Sequence, residues 1–123
     1  VVVLAIDATG TRRTLTSGDV VHPTERLGFV YGNPAGTRQH LAVLGFDGHD
    51  VHWYYPERPG EPPFVLTAER SVRLPFDVGL EDHAPGPLTV EAVFDTDPTA
   101  VARALLAQET VQAALKLHLE VRP

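Results

Sequence analysis

Cysteine and methionine are absent, lysine occurs once, at Lys116, and serine occurs only at Ser17 and Ser71. Each gap removes a class of chemistry. Without cysteine there is no disulfide framework, no thiolate zinc site and no thiol nucleophile, and the redox compartment is left undetermined. Neither serine sits in a Gly-x-Ser-x-Gly elbow or beside a general base, which argues against serine-based hydrolysis. The apolar opening run, Val1 to Ile6, is far shorter than the roughly 20 residues that cross a bilayer, and no signal-peptide pattern precedes it. Val1 stands where an open reading frame would place Met. The chain is therefore read as a single domain, 1–123, excised from or part of a longer protein, periplasmic or cytoplasmic depending on the flanking segments.

What remains is ordinary globular material: 123 residues, 43% hydrophobic and 21% charged, enough for one core. The net charge of −6 repels phosphate backbones, so nucleic acid is not an expected partner. Ten glycines and eleven prolines punctuate short apolar runs, the pattern of many brief strands rather than alternating strands and helices.

Strands are expected at Val1–Asp7, Arg26–Gly32, Gln39–Phe46, His49–Tyr55, Phe64–Leu66, Ser71–Leu74, Leu88–Asp95 and Leu115–Val121, with Arg12–Leu15 either closing an opening hairpin or forming the bent return of the first strand. Asp47-Gly48 between two β-rich runs predicts a hairpin. Alternation then puts Val51, Trp53 and Tyr55 on one face, taken as the inner one, and Asp50, His52 and Tyr54 on the other. Gly28 signals a bulge or a close approach of another chain segment. Four prolines between Pro56 and Pro63 demand a surface loop, and Gly79–Pro87 reads as an acidic loop. Asp97-Pro98 opens a helix, with Asp as N-cap and Pro at the first helical position, running to about Gln108 and with a further turn over Thr110–Ala114. That helix is a crossover between Leu88–Asp95 and the last strand, which would be parallel neighbours or lie in different sheets. The fold class expected is all-β, a two-sheet antiparallel β-sandwich, immunoglobulin-like or related, of seven or eight strands with one short helix before the last.

Six histidines raise the question of a metal site. His49 and His52, three apart in a strand, point to opposite faces, whereas His40 and His52, taken as cross-strand neighbours, form with Asp50 the best cluster. The acidic stretch offers a second possibility: Asp77, Glu81 and Asp82 are candidate ligands for a hard cation, which takes about six to eight oxygens, although a calcium-loop repeat is missing. A solvated acidic face is the favoured reading. Gly32–Thr37 lacks a phosphate-loop lysine and is a turn. Trp53 or Tyr54 could stack on a sugar, but alternation exposes only one parity and a lone Trp belongs in the core.

Gly18-Asp19, the strand to Tyr31, His40-Leu41-Ala42-Val43-Leu44 with Asp47-Gly48, and Trp53-Tyr54-Tyr55-Pro56 together resemble a bacterial family of domains of unknown function. Leu74-Pro75, the acidic loop to Gly86 and Glu91-Ala92-Val93-Phe94 continue the likeness over residues 14–108. Members are appended to membrane-anchored anti-sigma-like proteins, Ser/Thr kinases and caspase-like peptidases. The nine arginines to one lysine also look like a GC-rich bacterial source. The resemblance implies a non-enzymatic accessory regulatory or sensor domain of a bacterial signalling protein that binds a protein or small ligand. It carries over no catalytic residue and no cofactor. His40, Asp50, His52 and Tyr54 are the ligand-binding candidates. Two other classes compete: a metal-dependent enzyme of β-barrel type centred on His40, Asp50 and His52, and a carbohydrate-binding module using Trp53 or Tyr54.

Overall fold

The β-branched opening run forms β1 (Val2–Ile6), which turns back on itself as β2 (Arg12–Thr14) with Leu4 opposite Thr14. Asp7 fixes that turn, its Oδ1 accepting from the Thr9 and Thr11 amides at 2.9 Å each. The computed structural model describes all residues, Val1–Pro123. On the other side of β1 lies β4 (Arg26–Tyr31), antiparallel, with Val3 opposite Phe29 and Ala5 opposite Leu27. Two strands of two residues each, β8 (Val72–Arg73) and β9 (Val78–Gly79), pair along the free edge of β4. Gly28 sits in regular register opposite Leu4. Its missing side chain makes room for the Arg73 guanidinium, which a Cβ there would overlap. It marks a close approach and no bulge.

The second sheet has the order β3-β11-β10-β5-β6, with β7 (Phe64–Val65) added to β5. Its strands are β3 (Val20–Val21), β5 (His40–Phe46), β6 (Val51–Tyr55), β10 (Gly86–Phe94) and β11 (Leu115–Val121). Every pairing is antiparallel except β3 with β11. The result is the two-sheet β-sandwich expected, with eleven strands where seven or eight were anticipated. The surplus comes largely from two-residue strands too short to carry a period. No helix is long and apolar enough to cross a membrane.

The principal core lies between the sheets, where Leu88, Val90 and Ala92 of β10 and Leu117, Leu119 and Val121 of β11 meet Val3, Leu27 and Phe29. Strict alternation in these strands puts Thr89, Glu91, Lys116 and His118 on the outer face. Part of that face is covered, although Lys116 and His118 on β11 stay exposed. Helix α1 (Pro98–Leu106) packs Val101, Ala102 and Leu105 on Ala42, Leu44 and Val93, forming a second, smaller core. Asp97 caps α1 as expected, accepting from the Thr99 amide at 3.1 Å.

Three expectations are corrected. The helix does not join parallel strands or strands of different sheets: β10 and β11 are antiparallel neighbours, and α1 folds back over the sheet that both belong to. The apolar Val93 on an otherwise polar parity is the residue that calls for this cover. Thr110–Ala114 is not helical. The chain leaves α1 through Gln108 at φ +55, where its amide bonds to the Leu105 carbonyl and the Glu109 amide to that of Ala104, the Schellman closure that ends a helix. In β6 the alternation breaks, because Val43 pairs with Tyr55 and Leu44 with Trp53, leaving Tyr54 as the extra residue of a bulge. Trp53 therefore packs, half-buried, against the helix core with Val51, while Tyr54 and Tyr55 both enter the core between the sheets. Neither a flat aromatic platform nor an exposed Tyr54 exists.

Candidate functional site

The residues singled out from the sequence part company. His40 opens β5 opposite Val65, whereas His52 is opposite Gly45, so the two are not cross-strand neighbours. His40 lies at the other end of the strand, 3.8 Å from Asp95. Asp50 is exposed in the hairpin turn and contributes only its backbone, its N–H donating to Asp47 Oδ1 at 2.8 Å. Asp77 is paired with Arg73 at 2.5 Å, and the Glu81 carboxylate folds over Gly79, so Asp77, Glu81 and Asp82 do not converge on one point.

His52, Tyr54 and Asp82 do come together, around two residues that the sequence reading passed over, Asp47 and His83. The inner face of β6 presents His52 and Tyr54 to the β9–β10 loop, and the His83 ring stacks on that of His52 with centroids 3.7 Å apart. Asp47, almost fully buried, is the anchor. Its Oδ1 accepts from the His49 and Asp50 amides, and its Oδ2 accepts from His52 Nε2 at 2.8 Å and from the Ala84 amide at 3.3 Å. Burial alone would raise the Asp47 pKa, but the Asp50 amide, the His52 ring and the other donors hold it well below the usual carboxylate range.

The opposite shift governs Tyr54, whose burial, with the negative charges of Asp82 and Asp47, keeps it a phenol. His83 is pushed down by burial and then by His52, against the pull of Asp82, and so favours the neutral form. Neutral imidazole has one donor and one acceptor nitrogen. The chemistry of the neighbours assigns them: Tyr54 O–H donates to His83 Nε2 at 2.7 Å and His83 Nδ1–H donates to Asp82 Oδ1 at 2.9 Å. Gly45 beneath Tyr54 is part of this arrangement, because a Cβ there would overlap the hydroxyl.

The outer face of the same sheet carries a different feature. Between it and the exit of α1 lies a cavity of about 330 Å³, in the lower range of small-molecule sites. Its floor is Phe46, Thr89, Glu91, Lys116 and His118, its roof Leu105 and Gln108–Thr110, and Gly48 and Pro87 stand at its rim. Glu91 is opposite Leu44 on one side and Lys116 on the other, 1% exposed. Its Oε1 is 3.5 Å from Lys116 Nζ, and its Oε2 has no hydrogen-bond partner. A buried carboxylate oxygen without a partner is costly, and native proteins keep few.

Neither Glu91 nor Lys116 stood out in the sequence, since a polar residue on the outward parity of an alternating strand reads as solvated. The readable signal was Val93 two positions on: an apolar residue on that parity means the face is covered, and a charge beside it is then buried. Comparison with protein-family models, curated proteins and solved structures finds no match for this chain.

Proposed function

We propose that this domain is a non-enzymatic binding module that takes a small polar ligand into the cavity between α1 and the outer face of the second sheet. The observation that carries the reading is Glu91 Oε2, buried in the cavity wall without a donor. A ligand ammonium or N–H group would supply that donor. Lys116 and His118 on the same floor suit a carboxylate or another acceptor a few ångströms away. The ligand class that fits both ends is a small zwitterion, such as a free amino acid, or an amine carrying an acceptor group. In a bacterial signalling protein, the context suggested by the family resemblance, such binding is the work of an accessory sensor.

The test is a titration of the domain with free amino acids and simple amines, followed by backbone amide NMR and thermal shift. Amide signals of residues 46–48, 89–91 and 108–118 are expected to move. Glu91→Gln, which keeps the shape and removes the charge, is expected to weaken binding at least about tenfold. A panel that shifts none of these signals, or binding that Glu91→Gln leaves intact, refutes the reading.

A further inference from the structure

The cavity under the exit of α1 has an end that the head group of a zwitterion leaves unused. Its lining holds two carboxylates, Glu91 and Glu109, against one ammonium, Lys116, and none of the arginines. On the floor, Glu91 and Lys116 lie 3.5 Å apart and offset each other. Glu109 in the roof is exposed and takes part in no ion pair, so one negative charge is in excess. The same roof is the C-terminal end of α1, where the last carbonyls carry about half a negative charge and favour a cation within a turn. Arg103, the basic residue of the last helical turn, does not line the cavity. Phe46 on the floor and Leu105 in the roof offer apolar contact for an aliphatic stem.

We propose that the cavity takes a basic amino acid of the lysine type. Its α-ammonium donates to Glu91 Oε2, its α-carboxylate lies at Lys116 and His118, and its side-chain cation lies under the C-terminal end of α1 with Glu109. This rests on the reading of the cavity as a zwitterion site and adds the side chain that the site selects. A neutral amino acid has no net charge and leaves the excess carboxylate of the lining uncompensated. A ligand with one further positive charge cancels it, and its aliphatic stem meets Phe46 and Leu105. The net charge of −6 on the chain adds a field that draws a cationic ligand in and an anionic one away.

The experiment is calorimetric titration of the full chain with L-lysine and, in parallel, with L-norleucine, which keeps the aliphatic stem and lacks the terminal ammonium. Lysine is expected to bind at least about fivefold more tightly, the combined effect of a partly solvated ion pair and the helix end. Glu109→Gln, at an exposed position, is expected to reduce that preference at least about threefold, because it removes the ion pair and leaves the helix end. Glu91→Gln weakens both ligands and so reads the floor separately from the roof. Equal affinities for lysine and norleucine overturn the proposal and leave the zwitterion site standing. A preference for lysine that Glu109→Gln leaves intact also overturns it, since the cation then lies elsewhere. Binding of neither ligand removes the site and this proposal with it.

Discussion

Glu91→Met tests whether the buried carboxylate is a liability to folding. Glu91 lies 1% exposed, with one oxygen unpartnered and the other 3.5 Å from an ammonium whose side chain is 41% exposed. An unsatisfied buried polar atom costs about 1–3 kcal/mol, and a half-solvated ion pair returns only about 0–1 kcal/mol. Methionine has nearly the same length and adapts to irregular space, and its flank of Leu44, Val93 and Leu105 is apolar. Replacing a buried ion pair by packed apolar groups is neutral or stabilising by about 1–4 kcal/mol, and here the charge left behind, Lys116, is 41% exposed and stays solvated. The expected net gain here is about 1–2 kcal/mol. At about 2.1 cal/mol/K per residue, a chain of this length unfolds with an entropy near 0.26 kcal/mol/K, so the midpoint should rise by about 4–8 °C. Calorimetry of the two proteins without ligand gives the number. A midpoint lowered by more than about 4 °C would mean that Glu91 is held by interactions worth more than its desolvation. Its retention would then be structural, and the argument for a ligand would lose its basis. A stabilised variant that no longer binds is the stability–function exchange expected of a binding residue.

Tyr54→Phe removes the donor to His83 Nε2 and leaves a buried nitrogen unpaired. A loss of about 1–3 kcal/mol is expected in chemical denaturation, and a change below about 0.5 kcal/mol would show that water replaces the hydroxyl. Gln108 holds a left-handed conformation at φ +55, so Gln108→Gly should stabilise the chain by about 1 kcal/mol, read as a shift in denaturation midpoint. Asp97→Ala removes the α1 cap and should cost about 1 kcal/mol, with the loss showing first as faster amide exchange in residues 99–102. Leu105→Ala, at the joint between α1 and the sheet, should cost about 2–5 kcal/mol and weaken any ligand held under the helix exit.

The parts of the fold that the sequence disclosed are those in which local chemistry and tertiary packing agree. Asp47-Gly48 between two apolar runs became the β5–β6 hairpin, Leu115–Val121 alternated and became a half-buried strand, and Asp97-Pro98 opened the helix where a cap and a missing N–H both belong. Agreement ended where a neighbour decides. Val20–Val21 becomes a strand because Glu120–Val121 lies alongside it, and no pattern within two residues can announce that. The β6 alternation failed because Tyr54 is accommodated over Gly45, which inserts a residue and turns Trp53 toward the helix.

The sites follow the same logic with higher stakes. His52, Tyr54 and Asp82 were picked out as reactive types, but what makes them a site is the burial of Asp47 and the stacking of His83, which arrives from a loop with no period. Glu91 shows the converse case. Its parity in β10 was readable and was assigned to solvent, because alternation says which side a residue faces and nothing about what lies on that side. Here α1 lies there, drawn by Ala42, Leu44 and Val93, and it converts an unremarkable surface carboxylate into a buried one with an idle oxygen. A helix inserted between two antiparallel neighbours must cover one face of their sheet. Charged residues on that parity are therefore the first places to look for function, ahead of the histidines.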